Sequence, residues 1–159
     1  MRRAAVLAIL LLGSCAPRSS KVVAGSKVSV RYSLWADGRF VESNEQGAPL
    51  TFTAGRGEVV AGFDEGLLGL AAGEDRRFMV SPGKGYGLAD PTAISKMPET
   101  AFSGLGVALK AGMKVQGVKD GRAAEGKVLS VEAGQVTLDF NHPLAGQTLE
   151  FRVRVLSVR

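Results

Sequence analysis

Residues 55–74, GRGEVVAGFDEGLLGLAAGE, restrict the possible folds of this 159-residue chain more than any other stretch. They read as a glycine turn, a short apolar entry, one amphipathic helix and a glycine stop. Val59, Val60, Phe63, Leu67 and Leu70 recur near helical spacing, which places them on one face. Asp64 and Glu65 fall in the expected first turn, where negative charge suits a helix N-terminus, and Gly73 is the expected stop. Most of the remaining chain reads as strand and turn. A single short helix cannot bury its apolar stripe alone, so a sheet has to wrap it. The expected class is α+β, an antiparallel sheet around one short helix.

The strands follow by alternation. Residues 27–35 (KVSVRYSLW) put Val28, Val30, Tyr32 and Leu34 on one face. Asp37-Gly38 is a hairpin signal, residues 39–42 are the partner strand, and residues 50–52 form another short one. Residues 76–80 return as a strand ending at Ser81-Pro82, and a glycine-dense loop at 83–91 holds one aromatic, Tyr86. Residues 94–102 are mixed, with Pro98 interrupting any long helix. Three alternating strands are expected at 114–119, 127–132 and 135–140, punctuated by Asp120-Gly121 and Ala133-Gly134. Residues 88–140 thus make a small β-rich unit, too large for an ordinary loop. Residues 141–147 (NHPLAGQ) form a turn. Residues 148–158 close the chain with Leu149, Phe151, Val153 and Val155 facing in and Glu150, Arg152 and Arg154 facing out.

The first residues belong to a different kind of segment. A basic start (Met1-Arg2-Arg3), an apolar run (4–12) and a small-residue end (Gly13-Ser14-Cys15) make residues 1–14 a signal peptide, too short to span a bilayer comfortably. Leu12-Gly13-Ser14-Cys15 resembles a bacterial lipobox, which implies lipidation of Cys15 as the mature N-terminus. Ala16 after it favours the outer over the inner membrane, so the expected location is the bacterial cell envelope, anchored and facing the periplasm. Residues 15–25 then form the lipidated end and a tether. A single cysteine leaves no internal disulfide. Without Arg2 and Arg3, 18 basic residues face 15 acidic ones, and no dense Lys/Arg stripe is interleaved with aromatics, so no nucleic-acid partner is expected.

Several chemistries are missing. Residues 121–127 (GRAAEGK) match the start of a phosphate-binding loop, but Val128 stands where a magnesium-binding Ser or Thr is required, and a strand is expected next. The loop around Tyr86 lacks dinucleotide spacing. The one histidine, His142, has no cysteine ligands near it, and its place before Pro143 suggests a structural hydrogen-bonding role. No serine lies in a nucleophile elbow. Neither metal nor cofactor is expected. Aromatic and aliphatic residues beside polar loops suit a pocket for an apolar ligand.

Five segments together carry a resemblance: VRYSLWADGRFVES, PLTF, GRGEVVAGFDEGLLGLAAGE, FMVSPGKGYG and TLEFRVRVLSV. In order and spacing they resemble an FKBP-type peptidyl-prolyl cis-trans isomerase. The NHPLAG turn at 141–146 and the segment Lys96-Met97-Pro98 followed by Phe102 are similar to the SlyD-like branch, which inserts a second domain into the flap. The resemblance implies an isomerase domain at 26–87 and 141–159 and a chaperone-like insert at 88–140. It implies a catalytic set of Tyr32, Val41, Glu42, Phe63, Tyr86 and Phe151. Leu50, Val59 and Val60 would contact substrate in the pocket, and Ile94, Met97 and Phe102 on the insert. Glu42 stands where an Asp is usual, and Val41 and Leu50 replace aromatics found in many relatives. The His-rich tail of some SlyD proteins is missing, so nickel handling does not carry over. The implied partners are unfolded or partly folded proline-containing polypeptides, met by a monomer. The alternative function on the same fold is a non-catalytic holdase or binding lipoprotein.

Overall fold

The computed structural model describes residues 20–119 and 122–159; the expected signal peptide, Cys15 and the Asp120-Gly121 turn lie outside them. Among the described residues nine strands form two antiparallel sheets. The first takes β1 (Lys27–Ala36), β2 (Arg39–Ser43), β3 (Leu50–Thr53), β4 (Asp75–Val80) and β9 (Leu149–Val158). Its order is β2-β1-β9-β4, with β3 pairing the first half of β1 while β2 pairs the second. The alternation of β9 holds as read: Leu149, Phe151, Val153 and Val155 are buried, and Arg152 and Arg154 are exposed. Asp37 and Gly38 both take positive φ (46° and 78°), the pairing a type I′ hairpin needs to match strand twist.

The helix is shorter than its periodicity suggests. α1 spans Ala61–Leu67, with Val60 as N-cap and Leu68 as C-cap. Asp64 lies in the first turn as expected. The chain turns at Gly69, φ 81°, well before Gly73. Leu70 is still buried, but from the following turn. A second correction concerns residues 21–25, whose small, polar composition reads as tether. Val22 is buried; its N–H donates to Leu70 O (2.8 Å) and its carbonyl accepts from Gly69 N (2.9 Å). The apolar Val22 outweighs its polar neighbours because it closes the end of the core beneath the α1–β4 turn.

Helix and sheet approach unusually closely. A Cβ on Gly62 would lie 2.3 Å from Val80 Cγ1, and one on Gly66 2.3 Å from the Phe78 ring. The two glycines face β4 one helical turn apart, so the backbone itself is the packing surface. This seats Phe63 and Leu67 on the inner face of the sheet, in a core with Val28, Val30, Leu34, Phe52 and Phe151.

The second sheet has four strands where three are expected, in the order β5-β8-β7-β6. β5 (Ile94–Pro98) is the addition, pairing with β8 (Gln135–Asp139). The pattern misses it because it is an edge strand ending in proline. β7 (Arg122–Glu132) begins before the expected residue 127 and takes residues 122–127 into a strand opposite β6 (Lys114–Lys119). This unit has its own small core of Leu109, Val115, Val128, Val136 and Leu138. Among the described residues no helix is long and apolar enough to cross a membrane.

Alanine at a helical glycine ordinarily stabilises by about 1 kcal/mol. At Gly66 the sign should reverse, because the new methyl meets a rigid aromatic ring. Gly66→Ala is expected to lower stability by about 1–3 kcal/mol. Urea denaturation measures it, and an unchanged or higher midpoint would contradict the close approach.

Candidate functional site

A cavity of about 400 Å³ opens at the end of α1 and is lined by Tyr32, Leu34, Glu42, Leu50, Gly57, Glu58, Val59, Val60, Phe63, Tyr86 and Phe151. Phe63 is its floor. The ring is 2% exposed and meets four others: Tyr32 at 5.9 Å, Phe52 at 5.8 Å, Phe78 at 6.1 Å and Phe151 at 4.8 Å between centroids. The closest of these, Phe151, meets it edge to face, an arrangement that aligns the electron-rich face of one ring with the positive edge of the other. Phe63 is thus both core and cavity wall.

One wall comes from β1 and β2. Tyr32 and Leu34 are two apart on β1 and share a face. Glu42 reaches the same face through a β-bulge: Leu34 pairs with Glu42 and Trp35 with Phe40, leaving Val41 without a cross-strand partner. The extra residue lets Phe40 pack on Trp35 at 5.6 Å on the outer face while Glu42 turns to the cavity. The Tyr32 hydroxyl donates to Glu42 Oε1 at 2.7 Å. Burial, then the hydrogen bond to Glu42 and the charge of that carboxylate, push the Tyr32 phenol well above its ordinary value.

The opposite wall is the loop before α1. Gly55 and Gly57 both take positive φ (77° and 71°), which glycine adopts without steric cost. Asp64 Oδ2 accepts from Gly55 N (2.6 Å), and Glu58 Oε2 accepts from Thr53 N (3.2 Å), pinning the loop to α1 and β3. Val60 caps the helix with its carbonyl, which accepts from Phe63 N and Asp64 N. Its own N–H has no partner among the described residues.

Tyr86 closes the rim from the loop after β4. A short 3-10 turn at Pro82–Lys84 precedes it, and Gly87 N returns to Pro82 O (2.9 Å). Lys84 pairs with Glu65 of α1 at 2.6 Å, an exposed contact worth little by itself. The Tyr86 phenol is also raised, first by burial and then by the charge of Glu42. Its hydroxyl has no hydrogen-bond partner among the described residues.

The structure brings together Tyr32, Glu42, Leu50, Val59, Val60, Phe63, Tyr86 and Phe151. It does not bring Val41, which is 39% exposed and is the unpaired bulge residue. Nor does it bring Ile94, Met97 or Phe102, which belong to the second unit. Met97 and Phe102 are half-buried against its core and Ile94 is exposed. Sequence reading missed Leu34, Gly57 and Glu58 as lining residues. Leu34 shares the alternation of Tyr32, so that signal was present; Gly57 and Glu58 carried none. No group of three or more His, Cys, Asp and Glu that could hold a metal exists among the described residues. The site offers an apolar floor, a free phenol and a free amide N–H, which suits binding and orientation of an amide.

Residues 18–156 match the family described as FKBP-type peptidyl-prolyl cis-trans isomerase. The chain is 32% identical to the short-type peptidyl-prolyl cis-trans isomerase of Methanocaldococcus jannaschii, covering 85% of this chain and 92% of the relative. It is 34% identical to the FKBP-type isomerase SlyD of Yersinia pestis over 87% of this chain and 71% of that one. It is 31% identical to the FKBP-type 16 kDa isomerase of Escherichia coli K12, over 88% and 95%. The chain belongs to the FKBP-type peptidyl-prolyl cis-trans isomerase family, and its antiparallel sheet around one short helix is that α+β fold.

The chain has two tyrosines, both with phenols raised above the ordinary 10.0. The folded state keeps protons that the unfolded chain loses near pH 10, so these groups leave stability unchanged below that pH and lower it above. A phenolate-absorbance titration should show both ionising later than free tyrosine, Tyr32 last. A Tyr32 that titrates like the free amino acid in the folded protein would contradict its partial burial and its pairing with Glu42.

Proposed function

We propose that the cavity receives the prolyl ring of an X-Pro segment and accelerates its cis-trans isomerisation. The observation that carries this reading is the convergence of Tyr32, Glu42, Phe63, Tyr86 and Phe151 on one cavity. Amide resonance sets a barrier of about 18–20 kcal/mol, while the two isomers differ by only about 0.5–1 kcal/mol. Such a reaction needs no nucleophile. It needs a site that favours the twisted imide over the planar one. The twisted imide has lost resonance and charge separation, so it gives up less solvation on entering an apolar cavity. Phe63, Phe151 and Tyr32 hold the ring. The Tyr86 hydroxyl and the Val60 N–H donate to substrate carbonyls, and Glu42 fixes Tyr32 without acting as a base.

The second unit, in this reading, is a chaperone-like insert spanning 88–140 that holds unfolded, proline-containing polypeptide beside the cavity of a monomer. Ile94, Leu105 and Val107 are exposed there, and Phe102 lines a groove of about 520 Å³. A holdase with little catalysis is the second reading, favoured by the displacement of Val41 from the cavity and by the aliphatic Leu50 in its wall. We further propose that Cys15 carries lipid and anchors the protein in the cell envelope, at the outer membrane facing the periplasm.

A proline-limited refolding assay separates isomerase from holdase. Tyr86→Phe removes one hydrogen bond and should slow catalysis by roughly 5- to 10-fold; Phe63→Leu should also reduce it. Excision of residues 91–140 should reduce activity on unfolded protein while sparing short peptides. Its flanking residues already touch, Asp90 N donating to Asn141 Oδ1 at 2.8 Å. Absence of any rate increase by the wild type would leave the holdase. Palmitate labelling tests the anchor: Cys15→Ala should abolish incorporation, and equal labelling of both proteins would refute it.

A further inference from the structure

We propose that His142 is a positioning residue for Tyr86, and that through its neighbour Asn141 it couples the base of the second sheet to the cavity. The proposal rests on the reading of Tyr86 as a substrate contact. Tyr86 sits between Gly85 and Gly87, and Gly87 takes φ 86°. Neither flanking residue has a side chain to pack beside the ring, and the Tyr86 hydroxyl has no partner among the described residues. Tyr86 packs half-buried on the main core, and the outer restraint on its ring is His142. The two rings lie parallel, 5° apart, with centroids at 4.0 Å, the closest ring pair among the described residues.

The imidazole is itself held. Its Nδ1 accepts from Leu144 N at 3.1 Å, and Leu144 packs half-buried on the main core. Ala145 N donates to His142 O at 2.8 Å, and Gly146 N donates to Gly87 O at 2.8 Å, tying the turn to the loop that carries Tyr86. Asn141, one residue earlier, joins the two chain crossings into the second unit. Its Oδ1 accepts from Asp90 N (2.8 Å), and its Nδ2 donates to Asp90 O (3.0 Å) and Asp139 Oδ1 (2.7 Å). His142 also lines, with Lys127, Asp139 and Phe140, a cleft of about 600 Å³ between the second sheet and this turn. A shift at the base of the second sheet therefore reaches Asn141, then the His142 ring, then Tyr86.

The test uses the full chain with a short X-Pro peptide substrate. His142→Asn should lower kcat/KM by about 3- to 10-fold, and His142→Phe, which restores a stacking ring, should recover it to within about 2-fold. In a Tyr86→Leu background, His142→Asn should cost nothing further. The tyrosine ring-proton resonances give a second readout: those of Tyr86 should move in His142→Asn and in Asn141→Ala, while those of Tyr32 stay. Equal losses in both Tyr86 backgrounds, or a His142→Phe as impaired as His142→Asn, would overturn the positioning role. Unmoved Tyr86 resonances in Asn141→Ala would overturn the coupling. Full activity of Tyr86→Leu alone would instead refute the assignment of Tyr86 to substrate, a separate failure.

Discussion

The packing of Phe63 is the contact on which both fold and site depend. Its ring meets four aromatic neighbours drawn from β1, β3, β4 and β9, so every strand of the main sheet except β2 bears on it. Aromatic contacts of this kind each contribute on the order of 0.5–1.5 kcal/mol beyond the area they bury. The same ring ends the core and begins the cavity. A side chain held by four rings is a rigid floor for the cavity.

That placement depends in turn on two residues with no side chain. Gly62 and Gly66 let α1 settle on Val80 and Phe78 at a distance no other residue allows. With the helix this close, a seven-residue segment suffices to carry Phe63 and Leu67 into the sheet. Such a helix is too short to be stable alone, so tertiary contact rather than propensity maintains it.

The site is polar only where polarity is controlled. The Tyr32 hydroxyl is engaged by Glu42 Oε1 at 2.7 Å. The Tyr86 hydroxyl and the Val60 N–H are left open at the cavity. The bulge at Val41 makes this division possible, since a regular strand would send Phe40 and Glu42 to the same face. The two chain crossings into the second unit are joined by hydrogen bonds among Asp90, Asp139 and Asn141, next to the residue on which Tyr86 rests.

Much of this was legible in the residues, and the boundary has a physical cause. Alternation in 27–35 and 148–158 gave the central pair of strands, because a half-buried strand writes its two faces directly into the chain. Resemblance located Tyr32, Glu42, Phe63, Tyr86 and Phe151 at the cavity but not Leu34, Gly57 or Glu58. What failed involved partners that local pattern does not encode. The end of α1 moved from Gly73 to Gly69 because Val22 folds back onto the turn. β5 escaped notice because an edge strand with proline has a weak pattern, and Val41 left the cavity because a bulge is a property of two strands. The sequence by itself determined the class, the strand faces and the aromatic complement. Only the tertiary structure decided how closely helix and sheet approach, which donors stay free, and that His142 lies flat against Tyr86, because each of these depends on segments brought together from distant parts of the chain.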